Sequence, residues 1–310
     1  MAIPLTVIGG FLGAGKTTLL NNLLAQDTGL RFAVLVNDFG DLAVDGDLLA
    51  AHGGDTVTLA NGCICCTMGD DLLLALMQLV RRDDPPEHIL VEASGVADPR
   101  PIADIAVLHP GLERDAVVVL ADAELVEEKA EDQYVGDTIH RQLAAADLVI
   151  LNKCDLLDDY DQGEVCRWLA HQAPNAGIVR AQHAEVPASL LLGAALRAET
   201  ANESVPVGHD HGHNHNHAHA DAFRSVSLKL ERELEEAAFL RFVAGLPESI
   251  LRAKGIIRLR DKPGQWVFQL VGRRHELRPA EGAPSDARLV FLGTPEMPDE
   301  AALRDLLDAL

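Results

Sequence analysis

The 310-residue chain has the length of two domains, at roughly 150 residues for each. Its 48 acidic and 26 basic residues give a formal net charge of −22, and a nucleic acid or an anionic membrane would repel such a chain. No apolar stretch reaches the roughly 18–20 residues that cross a bilayer, and the start "MAIPLTVIGG" lacks the basic segment of a signal peptide. We therefore expect a soluble, cytoplasmic, reduced protein with no nucleic-acid or membrane partner.

Residues 1–200 alternate short apolar runs with amphipathic stretches. This pattern is typical of an α/β domain with a mostly parallel, doubly wound sheet. The strand candidates are "LTVIG", "RFAVLV", "DTVTLA", "HILVE", "AVVVLAD", "DLVILN" and "AGIVRA". Amphipathic stretches between them include "TLLNNLLAQ", "DDLLLALMQLVRR" and "QGEVCRWLAHQ".

The segment "GGFLGAGKTT" joins the first strand candidate to the first helix candidate and contains the complete Walker A pattern G-x-x-x-x-G-K-[ST]. In such a loop, backbone N–H groups close around phosphate oxygens at a helix N-terminus, which predicts a P-loop NTPase sheet. We expect Lys16 to reach the β- and γ-phosphates as a catalytic residue, and the Thr17 hydroxyl to bind Mg²⁺. The nucleotide-binding residues predicted here are Gly10, Gly13, Ala14, Gly15, Lys16, Thr17 and Thr18.

Two acidic residues follow later strand candidates. Asp38 lies in "VNDFGD", where a switch segment is expected, and Glu92 ends "HILVE", where P-loop proteins carry the acid that holds Mg²⁺ through water. Both residues are candidates for orienting the attacking water. The alternatives to these functional roles are structural: Asp38 would simply belong to a turn, and Glu92 to the start of a helix.

Three thiols fall within four positions of "NGCICC", namely Cys63, Cys65 and Cys66. The segment follows "DTVTLA", and ligands of doubly wound sheets gather at the carboxyl ends of the strands, so we expect these thiols on the edge that carries the Walker A loop. Closely spaced thiolates can share one metal ion in tetrahedral geometry, which suits Zn²⁺, Co²⁺ or Cu⁺. The alternatives are buried packing and a redox pair. Cys154 and Cys166 are expected to be packing residues.

The segment "LVILNKCDLL" places Asn152, Lys153 and Asp155 at the end of a late strand candidate, in the N-K-x-D pattern of a guanine site. The Asp155 carboxylate can accept hydrogen bonds from both N1–H and the exocyclic amine of guanine. Adenine offers an acceptor at N1 and would leave that carboxylate unpaired. The predicted nucleotide is therefore GTP.

The segment "ANESVPVGHDHGHNHNHAHADA" has almost no large apolar residue, and we predict a linker over residues 201–221. Six of its histidines alternate with small or polar residues, and neutral imidazoles bind Zn²⁺, Co²⁺ and Ni²⁺. We expect a metal-loading arm, with a plain polar linker as the alternative. The histidines are His209, His211, His213, His215, His217 and His219.

Residues 222–310 are expected to form a second, small α+β domain. Strand candidates are "FRSVSLKL", "ESILRAKGIIRLR", "QWVFQLVG" and "ARLVFLG", and helix candidates are "LEEAAFLRFVAGL" and "DEAALRDLLDAL".

Together these motifs resemble the CobW family of metal-handling P-loop GTPases, relatives of the urease and hydrogenase nickel-insertion GTPases. The resemblance covers nearly the whole chain, including "GGFLGAGKTTLLN", "NDFGDLAVDGDLL", "NGCICC", "VEASGVADP", "AADLVILNKCDLL", "ILRAKGIIRL" and "RLVFLG". It implies that the C-x-C-C cysteines bind the cargo metal and that GTP prepares the metal site. This chain departs from the family at Asp38, where N-E-F-G is usual, and at Val36, where some relatives carry an acidic residue.

The resemblance implies a GTP-dependent metallochaperone that delivers Zn²⁺ or Co²⁺ to a client protein on GTP hydrolysis, with slow turnover in the absence of a partner. A small-molecule kinase is an alternative that predicts ATP preference. A metal storage protein is another, which predicts several metals per chain. The sequence leaves the metal, the client and the oligomeric state open, a homodimer included.

Overall fold

The computed structural model describes residues 2–36, 55–58, 68–193, 223–280 and 286–309. The chain divides into two compact units, Met1–Ala194 and Ala195–Leu310. The predicted linker, residues 201–221, lies outside the described residues, so the predicted domain boundaries stay predictions. Within the described ranges, no helix is both long and apolar enough to cross a bilayer.

The first unit is built on a seven-stranded sheet in which every neighbouring pair of strands is parallel. The strand order is β3-β2-β4-β1-β5-β6-β7. All residues of β1, β4 and β6 are buried, as expected for strands covered on both faces. The sheet confirms the predicted parallel architecture. Its strands are Ile3–Gly10 (β1), Phe32–Val36 (β2), Asp55–Thr58 (β3), His88–Glu92 (β4), Leu112–Asp122 (β5), Leu148–Asn152 (β6) and Gly177–Arg180 (β7).

Helices connect these strands, and the three helical stretches predicted from periodicity coincide with α1, α2 and α6. The α6 helix begins where the Asp158 carboxylate caps it by accepting from the Asp161 N–H at 2.8 Å. The described helices are Lys16–Leu24 (α1), Met68–Val80 (α2), Arg100–Leu108 (α3), Val126–Glu131 (α4), Gly136–Ala145 (α5), Asp159–Gln172 (α6) and Ala188–Leu191 (α7).

The register of the parallel sheet brings the carboxyl ends of its central strands to one edge. Ile8 of β1 pairs with Glu92 at the end of β4, and Asp122 at the end of β5 pairs with Asn152 at the end of β6. Gly10 is the last residue of β1, the strand that lies between β4 and β5. Polar side chains from separate parts of the sequence are therefore collected beside the Walker A loop.

The second unit contains an antiparallel five-stranded sheet in the order β11-β10-β9-β12-β8, with two described helices. This architecture agrees with the predicted small α+β domain. Its elements are Arg224–Lys229 (β8), Glu236–Ala244 (α8), Ile250–Arg258 (β9), Gln265–Val271 (β10), Arg274–Pro279 (β11), Arg288–Gly293 (β12) and Glu300–Asp308 (α9).

An aromatic core joins α8 of the second unit to one face of its sheet. Phe239 of α8 meets Phe268 of β10 edge to face, with ring centroids 4.9 Å apart, and Phe242 meets Phe291 of β12 at 6.3 Å. Such pairs add roughly 0.5–1.5 kcal/mol to the burial of the rings. Residues of the predicted strands and helices of this region thus share one hydrophobic cluster.

The strand β11 was not predicted from the sequence. Half of its residues, "RHELRP", are charged, and the segment shows no apolar alternation. The strand forms because a hairpin through Gly272 pairs it with β10 at the edge of the sheet. An edge strand needs only one hydrogen-bonded neighbour and tolerates charged side chains, so composition gives little sign of it.

Candidate functional site

The Walker A loop depends on glycine for two physical reasons. Gly10 and Gly15 have φ of 130° and 108°, and a Cβ on either would lie 2.4 Å from a neighbouring atom, Leu120 O or Asn152 Nδ2 respectively. Gly13 has φ of 79° with open space around it, so only its backbone angle requires glycine. Tight packing and left-handed angles hold the loop in a narrow turn that enters α1.

Lys16, the first residue of α1, folds over this loop. Its Nζ donates hydrogen bonds to the carbonyls of Gly10 at 2.9 Å and Phe11 at 3.3 Å, and the residue is buried. The ammonium therefore lies at the mouth of the loop, where it can exchange these carbonyls for phosphate oxygens. Thr17 is half-buried and Thr18 is exposed in the first turn of the same helix.

Glu92 lies on the strand next to the Walker A strand. It is 7% exposed, and the following residue, Ala93, donates its N–H to Ile8 O at 2.8 Å. The chain beyond it stays close to the Walker A loop, since a Cβ on Gly95 would lie 2.5 Å from Leu12 Cδ2. The E-x-x-G segment and the phosphate loop are thus in direct contact.

A residue that the sequence did not single out holds the E-x-x-G segment in place. The Nε2 of Gln142, on α5, donates to Gly95 O at 3.1 Å and to Ala97 O at 3.0 Å. Gln142 is 1% exposed, so both bonds are made away from solvent. It lies more than forty residues from its acceptors, and no local pattern could have indicated the contact.

Asn152 ties the predicted guanine motif to the Walker A loop. Its Nδ2 donates to Ala14 O at 2.9 Å, while its Oδ1 accepts from the Ala184 N–H at 2.7 Å. The residue is 3% exposed, so both halves of its amide are satisfied in the interior. One side chain thus fixes the phosphate loop relative to the base motif.

The remaining motif residues lie on the turn after β6. Lys153 has a left-handed φ of 65°, and its Nζ pairs with Asp122 Oδ2 at 2.5 Å. Asp122, the last residue of β5, therefore positions the lysine. Asp155 follows in a 3-10 turn, Cys154–Leu156, and is exposed to solvent. Its carboxylate is accessible to the polar edge of a base.

A further loop, missed by sequence reasoning, completes this end of the site. His183 and Ala184 have φ of 52° and 55°, which non-glycine residues adopt at a cost of roughly 1–3 kcal/mol. Asn22 of α1 stabilises them by donating from Nδ2 to the His183 and Ala184 carbonyls at 2.8 and 3.2 Å. The sequence "AQHA" contains no glycine that would have indicated such a turn.

Cys154 and Cys166 pack in the core of the first unit, as the sequence predicted. Burial raises the pKa of the Cys154 thiol, although a hydrogen bond from the Ala181 backbone opposes the shift. The Cys154 Sγ lies 3.1 Å from Leu151 O and donates to it. A protonated thiol in this position is a poor metal ligand.

The remaining candidates lie outside the described residues and stay predictions. Among the residues that are described, no group of three or more His, Cys, Asp or Glu side chains is arranged to hold a metal ion. The candidates in question are Asp38, Cys63, Cys65, Cys66, His209, His211, His213, His215, His217 and His219.

Two family models match the chain in the order of its two units. The model described as "CobW/HypB/UreG, nucleotide-binding domain" matches residues 4–180, and that of the "Cobalamin synthesis protein cobW C-terminal domain" matches residues 223–310. The chain belongs to the CobW family. The resemblance predicted from its motifs is confirmed.

Curated proteins of the CobW family align with most of this chain. "Zinc chaperone CobW" of a Sinorhizobium species is 34% identical, over 99% of this chain and 97% of that protein. The Pseudomonas aeruginosa protein of the same name is 38% identical, over 88% and 82%. "Zinc chaperone YjiA" of Escherichia coli is 28% identical, over 96% of each chain.

Proposed function

We propose that this CobW-family protein is a GTP-dependent metallochaperone that carries a transition metal to a client protein. The observation that carries the proposal is the Asn152 bridge, which joins the Walker A loop to the N-K-x-D turn. A phosphate-binding loop and a base-selecting carboxylate then act on one ligand. A kinase for a small metabolite would have no use for that second group.

Guanine selection follows from Asp155. An exposed carboxylate on the turn after β6 accepts the two N–H groups of guanine and finds no matching donors on adenine. A carboxylate left unpaired on binding costs roughly 1–3 kcal/mol or more, which corresponds to roughly 10–100-fold in affinity. Lys153, on the same turn, is held by the ion pair of its Nζ with Asp122 Oδ2.

Hydrolysis is assigned to the loop, Lys16 and two acidic candidates. Thr17 offers a hydroxyl and Glu92 a buried carboxylate near the loop, and such hard oxygen ligands fit Mg²⁺, directly or through water. When bound, Mg²⁺ would neutralise charge on the phosphates. Glu92 and Asp38 are the candidates for orienting the attacking water. We expect turnover to be slow until a partner contributes to the site.

The cargo metal is proposed to bind at Cys63, Cys65 and Cys66. The chain enters this segment from β3, which lies three strand spacings from β1, about 14 Å at about 4.8 Å each. Five residue steps separate Thr58 from Cys63 and can span about 17 Å, so the thiols can reach the phosphate loop. Lys16 would then favour their deprotonation.

Zinc is the proposed cargo, with cobalt as the second choice. The three curated relatives are named zinc chaperones, and thiolates suit both ions. The histidines of the segment 201–221 are proposed as a loading arm, on composition alone. The second unit is proposed to recognise the client.

Metal titration of nucleotide-loaded protein tests the proposal. We expect GTP-loaded protein to bind Zn²⁺ at least tenfold more tightly than GDP-loaded protein, because the γ-phosphate orders the metal site. Cys65→Ser should remove most of that difference in zinc affinity. Cys166 is partly buried against the core, and Cys166→Ser should retain the difference. Equal zinc affinity in both nucleotide states would contradict the proposal, and binding of ATP in preference to GTP would favour a kinase.

A further inference from the structure

An apolar cavity lies beside the Walker A loop, on the side that faces α4 and α5. The loop contributes Leu12 and Ala14 to its wall, β5 contributes Ala121, and the helical side contributes Leu125 and Ile139. The nucleotide chemistry described above assigns no role to this cavity.

The rim of the cavity exposes large apolar side chains. Leu12 is 62% exposed and Leu125 is 41% exposed, and both also line the cavity. Val96 is 46% exposed in the E-x-x-G segment, next to Gly95, which contacts Leu12. Apolar side chains gathered at the mouth of a cavity commonly mark a binding surface.

The surroundings of the cavity are acidic. Glu124, Glu128 and Glu131 are exposed around α4. The one lysine of that helix, Lys129, lines the cavity, and its Nζ lies 3.9 Å from Glu128 Oε1. Residues 223–310 contain as many basic as acidic residues, so the entire net charge of −22 lies on residues 1–222. This field attracts a cationic partner and repels an anionic one.

Two walls of the cavity belong to the nucleotide machinery. Gln142 lines the cavity and donates to Gly95 O and Ala97 O. Ala14 lines it as well, and the carbonyl of Ala14 accepts from Asn152. An occupant would therefore touch the supports of the E-x-x-G segment and of the phosphate loop at once.

We propose that this cavity is the docking site for an apolar side chain on a basic segment of a partner protein, and that docking changes the rate of GTP hydrolysis. Docking is argued from the apolar wall and the acidic rim alone. The effect on rate rests on the proposed GTPase function. Because Gln142 and Ala14 form the cavity wall, a seated side chain acts on both loops through existing hydrogen bonds.

The probe for the docking step is a set of short peptides with a central Leu, Met or Phe between Lys and Arg residues. Two matched sets replace either the central residue by Ser or the basic residues by Glu. At low ionic strength, the basic apolar set should bind at least tenfold more tightly than either control set. Equal binding of the Ser-centred peptides would show non-specific charge attraction and overturn the proposal, as would no binding by any set.

Variants locate the docking site. Leu125→Ser removes apolar area from the rim without adding charge, and Ala121→Leu fills the cavity. Each variant should therefore bind the basic apolar peptides at least fivefold more weakly. Leu156→Ser is the matched control, since Leu156 is 52% exposed and does not line the cavity. Melting temperatures identify a variant that fails to fold. An unchanged affinity in both folded cavity variants would overturn the proposal.

Hydrolysis measurements separate the docking step from its consequence. Saturating peptide should change the rate of GTP hydrolysis at least threefold in the wild type and leave it unchanged in Ala121→Leu. Peptide binding without a change in the hydrolysis rate would overturn the proposed effect of docking on GTP hydrolysis. A protein that binds peptide but not GTP would contradict the proposed function alone. Concentration-dependent self-association that Leu125→Ser abolishes would assign the surface to a second copy and overturn the proposed partner.

Discussion

The two units of the chain use glycine and charge in different ways. In the first unit, three glycines with positive φ fall within six residues of one loop, and Glu92, Asp122 and Asn152 end neighbouring strands beside it. In the second unit, the two described glycines with positive φ, Gly264 and Gly272, lie in the hairpin turns on either side of β10.

Charge is placed differently as well. The second sheet buries Arg252 and Lys254 within β9, on the face opposite the aromatic core, where Lys254 pairs in register with the buried Gln269 of β10. Parallel strands concentrate polar groups at one edge, whereas antiparallel strands spread them over a face. The polar strand-end residues of the candidate site therefore lie together in the first unit.

The largest effect is expected from Lys16→Ala. This substitution removes the ammonium that contacts Gly10 O and Phe11 O, so no lysine would reach the phosphates. The rate of GTP hydrolysis should therefore fall about 1000-fold or more. Lys262→Ala in the second unit is the control and should leave the hydrolysis rate unchanged. Single-turnover assays measure both, and comparable losses in the two variants would refute the division of roles between the units.

Asp155→Asn should exchange the preferred base. An amide can donate to the C2 carbonyl of xanthine but matches guanine poorly, so GTP affinity should fall roughly 10–100-fold while the affinity for xanthosine triphosphate rises. Asp159→Asn, also exposed, at the start of α6, provides the matched control. Nucleotide titration decides the matter, and an unaltered GTP preference in Asp155→Asn would show that the turn does not read the base.

A matched glycine pair separates backbone strain from function. Gly13 and Gly264 both have φ of 79°, and a Cβ added at either would meet no neighbour within 4 Å, so alanine at either should cost about 1 kcal/mol of stability. Only Gly13→Ala should also weaken nucleotide binding, by about tenfold, since Gly13 lies in the phosphate loop. Denaturant unfolding should show similar losses of stability in the two variants. Equal nucleotide affinities of the two variants in titration would be inconsistent with our account.

The smallest effect is expected from Asp299→Ala. The Asp299 carboxylate caps α9 by accepting from the Ala302 N–H at 2.9 Å, and loss of such a cap costs about 1 kcal/mol. Urea unfolding should detect this loss in the second unit. The rate of GTP hydrolysis should stay that of the wild type, and a reduced rate would mean that the second unit contributes to the chemistry.

Much of the candidate site could be predicted because its signals are local. The spacing of Gly10, Gly15 and Lys16 indicates the phosphate loop, and strand ends in a parallel sheet necessarily share an edge. Glu92 and Asn152 were therefore expected there before any register was known. Apolar runs alternating with amphipathic stretches likewise predicted the seven strands of the first sheet.

The parts that were missed depend on tertiary contacts. Gln142 looks like an ordinary helix residue until α5 packs against the E-x-x-G segment, more than forty residues away. Ala184 contributes backbone groups alone, an N–H donated to Asn152 and a carbonyl that accepts from Asn22, which any residue but proline could supply. The edge strand β11 forms by pairing with β10 despite its charged composition. In each case the information lies in the partner and not in the local sequence.

The most direct test of the central claim, that the thiols and the triphosphate influence one another, is the affinity of the wild-type protein for GTP with and without bound Zn²⁺. By linkage, zinc must tighten GTP binding by the same factor by which GTP tightens zinc binding. Zinc should therefore increase the affinity for GTP at least tenfold and leave the affinity for GDP nearly unchanged. The Cys65→Ser variant should show no such factor. Identical GTP affinities for zinc-loaded and metal-free wild type would contradict the account.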